Sequence, residues 1–205
     1  MQRRHWGAEG LPDKPGDKKS GDKDMPKGTV SQEDGHIWFY QEVSQESIHT
    51  LVSALHKAAV ERQVQAAKIG LPGPLPIHLH IHSYGGEVFA GFAAADAIRS
   101  CPVPVQTHIE GGAASAATLF SVAGARRTIG KNSFILIHQI SSVFWGKYEE
   151  MKDEMRNSDL LMARIKGVYQ EHTNLTAAQV EDILKKDLWF DAAKALECGL
   201  VDEVL

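Results

Sequence analysis

The sequence predicts one α/β domain with a mostly parallel sheet, helices around it and a helical projection. Three observations predict it. From His36 onward, apolar stretches of strand length alternate with segments of helical periodicity. No internal repeat interrupts the alternation. At 205 residues the chain is long enough for one sizeable core. Strands that alternate with helices are joined by right-handed crossovers, and such crossovers make a parallel sheet.

Residues 1–35 differ in texture from the rest. They are rich in Gly, Pro, Lys and Asp and poor in large apolar residues, so they bury too little surface to offset their ordering entropy. They read as a flexible N-terminal tail, or as an arm that orders on a partner, with the folded domain over 36–205. HIWFYQEV then reads as the first strand. Ser44 is a candidate N-cap, and Ile48, Leu51, Val52, Leu55 and Ala59 recur at helical spacing. The Gly and Pro residues of KIGLPGPLP stop that helix. A strand is expected over Ile77–His82, a helix over VFAGFAAADAIRS, a strand at VQTHIE, a helix at ASAATLFSVAGA and a strand at FILIHQ. A long amphipathic helix covers roughly Lys147 to His172, with Met151, Met155, Leu161, Met162, Ile165 and Val168 as its apolar stripe. Thr176 and Gln179 form a capping box for a further helix, AAKALEC makes a short one, and VDEVL closes as a strand.

Composition narrows the function classes. The content is 43% hydrophobic and 23% charged, ordinary for a globular chain. A formal net charge of -4 offers no basic footprint for nucleic acid. No apolar run reaches the roughly 18 residues that span a bilayer, and the opening MQRRHWGAEGLPDKPGDKK has no apolar core of a secretory signal. Two cysteines, Cys101 and Cys198, fit ordinary thiols in a reducing compartment. The expected location is the cytoplasm, an organelle matrix or stroma, or the host cytoplasm if the chain is viral.

Parallel sheets place functional groups at the C-terminal ends of their strands, and three such junctions carry chemistry. The first is Ser83-Tyr84-Gly85-Gly86, where glycines bring backbone N–H groups close to a reacting atom at a helix start. A Gly-Gly pair alone is more often just a turn. The second is Glu110 to Ala117, where Ser115 lies among small residues and Ala116 offers a second N–H. Taken alone, it reads more readily as a close-packed helix start with a buried hydroxyl. The third is Phe134 to Gln139, an apolar strand ending in His138. A lone histidine there is more often structural, but opposite a serine it can act as a general base. A serine–histidine pair needs a carboxylate to hold the imidazole tautomer. Asp187 is the candidate, followed by Leu188-Trp189-Phe190 as apolar anchors; its plainer reading is the solvated end of a lysine-rich helix.

Taken in order, these pieces resemble the proteolytic subunit of the Clp protease, over roughly His36 to Leu205. Ser83-Tyr84-Gly85-Gly86 with Ala90-Gly91 resembles the family's glycine turn and following helix, and Gly112-Ala113-Ala114-Ser115 its nucleophile motif. Asn132-Ser133 and Ile137-His138-Gln139 resemble the segment around its histidine, and Ala192 to Glu203 its closing segment. The family's fold is ClpP/crotonase-like, with a projecting helical handle. The resemblance implies Ser115 as nucleophile, His138 as base, Asp187 as orienting acid, and Gly86 and Ala116 as backbone oxyanion donors. Substrate would pair with backbone at Val88 and Ile140. It further implies a serine endopeptidase acting on peptides or unfolded proteins inside two stacked seven-membered rings. No cofactor is needed in this chain, ATP being used only by a partner AAA+ unfoldase. Four places depart from the pattern: Tyr84 replaces a proline, VERQVQAAKIGLPGP adds material before the strand, Phe144-Trp145 lies where a glycine-rich run enters the handle, and the N-terminal segment lacks the apolar pattern of the entry pore.

Two other readings compete. A non-catalytic ring subunit would keep the fold for assembly or regulation. A crotonase-type acyl-CoA enzyme would use the paired backbone donors without Ser115 and His138. His78, His80 and His82 share one strand face. They would ligate zinc only with a fourth donor, and packing or a subunit surface is the expected role.

Overall fold

The computed structural model describes residues 29–205. Of the expected tail, residues 1–28 lie outside the described residues. Within the described residues the sheet opens with residues 29–35, which the sequence reading leaves in the tail. Strand β1 (Thr29–Glu33) pairs antiparallel with β2 (His36–Tyr40), Glu33 opposite His36. Asp34 and Gly35 turn between them with φ of 44° and 76°, the positive pair that a tight two-residue hairpin requires.

Helix α1 (Gln45–Lys68) starts at Ser44, whose hydroxyl accepts the Ser47 N–H while the Ser47 hydroxyl accepts the Ser44 N–H. Two otherwise orphaned donors are satisfied there. The chain continues through β3 (Ile77–Ser83), α2 (Val88–Arg99), β4 (Val105–Ala114), α3 (Ala116–Ser121), β5 (Arg126–Ile129) and β6 (Phe134–Leu136). It ends with α4 (Tyr148–His172), α5 (Ala177–Leu184), α6 (Ala192–Glu197) and β7 (Glu203–Val204). The sheet order is β1-β2-β3-β4-β5-β7, with β6 also on β4, and every pairing after the first hairpin is parallel. Ile37, Phe39, Leu79 and Ile81 form the core with Ile48, Leu51 and Leu55 of α1 and Leu119 and Phe120 of α3.

Several elements differ in extent from expectation. The strand at VQTHIE runs on to Ala114, the alanine-rich helix shrinks to Ala116–Ser121, and the strand at FILIHQ stops at Leu136. One cause links them. Beyond a bulge in β4, Gly112–Ala114 leave the β5 side of the sheet and pair with Phe134–Leu136. Strand β5 is not expected from its Arg126-Arg127, yet Arg127 pairs with Asp202 and donates to the Gly199 carbonyl at 2.8 Å. Helix α4 divides its stripe. Ile165 and Val168 are buried, whereas Met151 and Met155 are exposed on the projecting half. No helix of the described residues is long and apolar enough to cross a membrane. Both cysteines are free.

The IHLHIHS strand buries Ile77, Leu79 and Ile81 and sends His78, His80 and His82 to the opposite face. There the His78 and His80 rings stack with His36, Trp38 and His108 at centroid separations of 4.7 to 5.2 Å. His36 Nδ1 meets His80 Nε2 at 2.9 Å, and His80 Nδ1 donates to Glu110 at 2.7 Å. His78 Nδ1 meets His108 Nε2 at 2.9 Å. No group of three His, Cys, Asp or Glu among the described residues is placed to hold a metal. Burial, and then the neighbouring imidazoles, pull His80 and His108 down to about 4. The fold therefore favours the neutral rings, while the unfolded chain takes up protons first as pH falls below the ordinary histidine value of 6.5. Stability contributed here is present above about 6.5 and is lost toward about 4. The urea midpoint is expected to drop across that window in the wild type and less steeply in a His80→Gln/His108→Gln variant. Equal slopes in the two proteins would remove the histidine face as the cause.

Candidate active site

Ser115 stands at the N-cap of α3 with φ 54° and ψ -128°. It and Asp34 are the two non-glycine residues with positive φ among those described. Such a backbone costs on the order of 1–3 kcal/mol and persists only where its surroundings hold it. Here the Ser115 N–H donates to the Leu136 carbonyl at 2.9 Å, and the Thr118 N–H and hydroxyl both donate to the Ser115 carbonyl, at 3.0 and 2.6 Å. The Thr118 hydroxyl also bonds the buried Tyr169 hydroxyl of α4 at 2.7 Å. From the other side, the glycine turn after β3 packs directly on the serine. A Cβ at Gly85 would meet Ser115 Cβ at 2.6 Å and the Ala114 carbonyl at 2.8 Å.

Gly86 is fixed by a β-bridge to Val43. The Val43 N–H donates to Gly85 O and the Glu87 N–H to Val43 O, each at 2.8 Å. This leaves the Gly86 N–H without a hydrogen-bond acceptor among the described residues, as is the Ala116 N–H at the start of α3. Both residues line one cavity of about 260 Å³ with Ser115, His138, Val88 and Ile140. Leu119, Ile165 and Tyr169 make its apolar wall. The last two come from α4, some fifty residues away, and nothing in the local sequence marks them.

His138 lies two residues past the end of β6. Its Nδ1 is 2.7 Å from Asp187 Oδ1, so the sequence-predicted base and carboxylate do meet. The expected anchor of Asp187 differs, because Leu188 and Trp189 are exposed. Phe190 does the anchoring through its backbone, exchanging hydrogen bonds of 2.9 and 2.7 Å with Ile135. The Gln139 N–H, beside the histidine, donates to the Leu184 carbonyl at 2.8 Å. No hydrogen bond joins Ser115 Oγ to His138 among the described residues. The Asp187 side chain is 80% exposed. A carboxylate facing an imidazole, a strained serine in the same cavity and two free N–H donors together can support acyl transfer.

The Clp protease family model matches residues 29–205. The chain belongs to the Clp protease family. A curated Clp relative, ATP-dependent Clp protease proteolytic subunit 1 of Chlamydia muridarum (strain MoPn / Nigg), is 36% identical over 134 residues, 63% of this chain and 70% of that one. A ClpP1 mutant from Listeria monocytogenes superposes with a TM-score of 0.73 at 23% identity, covering 84% of this chain and 91% of that chain. At that identity the superposition establishes the ClpP fold: an α/β domain with a mostly parallel sheet. Membership places the chain among ClpP-type peptidases and runs against the acyl-CoA reading.

Proposed function

We propose that this chain is a serine endopeptidase, the proteolytic subunit of a Clp-type protease, using Ser115, His138 and Asp187. The observation that carries the reading is convergence. Ser115 and His138 line one cavity, and Asp187 lies 2.7 Å from the far side of the His138 ring, at Nδ1. A peptide would lie extended against Val88 and Ile140, pairing backbone to backbone. With Nδ1 committed to Asp187, His138 Nε2 takes the Ser115 proton as Oγ attacks the carbonyl carbon. Charge developing on the carbonyl oxygen is met by the Gly86 and Ala116 N–H groups. The C–N bond then breaks, His138 protonates the leaving amine, and water releases the acyl-enzyme through the same histidine. Leu119 and Ile165 suit an apolar substrate side chain beside the cleaved bond. The chemistry needs no cofactor in this chain. Stacked seven-membered rings would enclose the site, and a partner AAA+ unfoldase would consume ATP to feed it. The half-exposed Met151–Met155 face of α4 suits a contact between subunits.

Gly86 is the sharpest single test of the oxyanion arrangement. Its φ is 146°, and an added Cβ would meet the Val43 carbonyl at 2.1 Å. Gly86→Ala therefore shifts the turn and its N–H. The expected loss in kcat for a small peptide is on the order of 10²- to 10³-fold, the size of one lost donor. Unchanged kcat would show that Gly86 is no such donor.

The second reading, a non-catalytic ring subunit, is favoured by the missing Ser115–His138 hydrogen bond, although such bonds often tighten only when substrate binds. A fluorophosphonate probe read by intact mass separates the two. One adduct per wild-type chain, absent from Ser115→Ala and His138→Ala, is expected for the peptidase. No adduct on an assembled sample would make the ring-subunit reading the leading one.

A further inference from the structure

Strands β3 and β4 keep register up to the Ile81–Ile109 pair and resume it at Ser83–Ala113. Strand β3 thus advances from 81 to 83 while β4 advances from 109 to 113. Glu110 to Gly112, three residues against His82 alone, bulge out of the ladder, and a bulged backbone loses its ladder partners. Side chains serve the two N–H groups left there. Ser133 Oγ accepts the Gly111 N–H at 2.8 Å, and His82 Nδ1 accepts the Gly112 N–H at 3.1 Å. The imidazole lies so close that a Cβ on Gly111 would meet its Nδ1 at 2.8 Å.

The bulge sets the geometry of the site. Directly after it, Gly112, Ala113 and Ala114 pair with Phe134, Ile135 and Leu136, and the Ser115 N–H closes on the Leu136 carbonyl. Ser115 follows one strand of that pair and His138 the other. Their relative register therefore depends on where the bulge is pinned.

We propose that His82 is a positioning residue for the Ser115 turn, its neutral Nδ1 holding the Gly112 N–H that the bulged ladder leaves without a partner. The inference rests on reading Ser115 as the nucleophile. The same Nδ1 is 3.0 Å from the Glu110 carbonyl. One nitrogen either accepts from Gly112 or donates to Glu110, and cannot do both. The neutral ring with its proton on Nε2 accepts. The other tautomer, with its proton on Nδ1, would donate to Glu110 and leave the Gly112 N–H without an acceptor. The groups facing His82 are few. Tyr40 of β2 and Tyr84 after β3 approach edge-on at 5.7 and 5.6 Å. Glu110 of β4 is engaged through its carboxylate by Tyr40 and His80. Glu42 shares a surface pocket with His82.

The test compares wild type, His82→Leu and His82→Asn as full chains, with Ser115→Ala as control, by deuterium uptake over residues 110–116 and by peptide kinetics. His82→Leu is expected to exchange faster in that segment and to lose roughly ten- to hundredfold in kcat at unchanged KM, the scale of a misplaced reacting group. The asparagine amide oxygen can accept the same N–H. His82→Asn should keep wild-type uptake and kcat. Wild-type uptake in His82→Leu, or an Asn variant as impaired as Leu, would each overturn the proposal. Turnover by Ser115→Ala would instead sink the peptidase reading and leave the uptake data to judge His82.

Discussion

Ser115→Ala is expected to lower kcat for peptide hydrolysis on the order of 10⁵- to 10⁶-fold, the scale seen when an activated serine nucleophile is removed. That corresponds to about 7–8 kcal/mol of barrier. What remains is water attacking a carbonyl still held by the Gly86 and Ala116 donors. The variant is a clean one. Ser115 Oγ has no hydrogen bond among the described residues, and the turn is held by backbone bonds to Leu136 and from Thr118. Alanine keeps those bonds, so thermal stability and assembly should match the wild type within about 0.5 kcal/mol. His138→Ala should fall about as far, because a serine without its base is no better than no serine. Residual turnover within tenfold of wild type in Ser115→Ala would end the serine-peptidase assignment, whatever the family.

Much of this architecture is legible in the sequence, for identifiable reasons. The alternating apolar pattern of Ile77–Ser83 fixes both its strand period and its buried face. Ser44 and Thr176 announce helix starts by chemistry that the structure repeats as reciprocal capping bonds. The hairpin that opens the sheet is harder to read, since TVSQE has a single large apolar residue and is held by pairing. The one local sign is Asp34-Gly35, a dipeptide suited to positive φ. Strand β5 hides for a related reason, because Arg126 and Arg127 balance their charges on Glu203 and Asp202, which lie far along the chain.

The site divides the same way. Ser115, His138, Gly86 and Ala116 fall at strand ends, where topology gives them meaning. The Thr118–Tyr169 bond, the Phe190–Ile135 bridge and the His82–Gly112 contact join residues 51, 55 and 30 positions apart. None leaves a local mark. The histidine strand illustrates the gap: its period is plain, but which ring serves the bulge and which rings stack depends on β2 and β4.

Asp187 carries the second large effect, and its exposure makes the outcome depend on the replacement. Its Oδ1 lies 2.7 Å from His138 Nδ1, a contact that keeps the proton on Nδ1 and leaves Nε2 free to accept from the serine. Asparagine of the same shape can turn its amide N–H toward Nδ1. The imidazole then moves its proton to Nε2 and has no lone pair for the Ser115 hydroxyl. Tautomer reversal of this kind costs about 10⁴-fold in kcat. Alanine acts differently. With the Asp187 side chain 80% exposed, water can reach the vacated position and accept the Nδ1–H. The favourable tautomer survives, and only the screened attraction between carboxylate and imidazolium is lost. Asp187→Ala is therefore expected to lose less than Asp187→Asn, on the order of 10²-fold in kcat. The backbone exchange between Phe190 and Ile135 holds the loop in either variant, so the comparison reads chemistry and not folding. Equal kcat in wild type and both variants would remove Asp187 from the site. A larger loss in alanine than in asparagine would mean that a hydrogen-bonding group at this position matters more to His138 than the tautomer it selects.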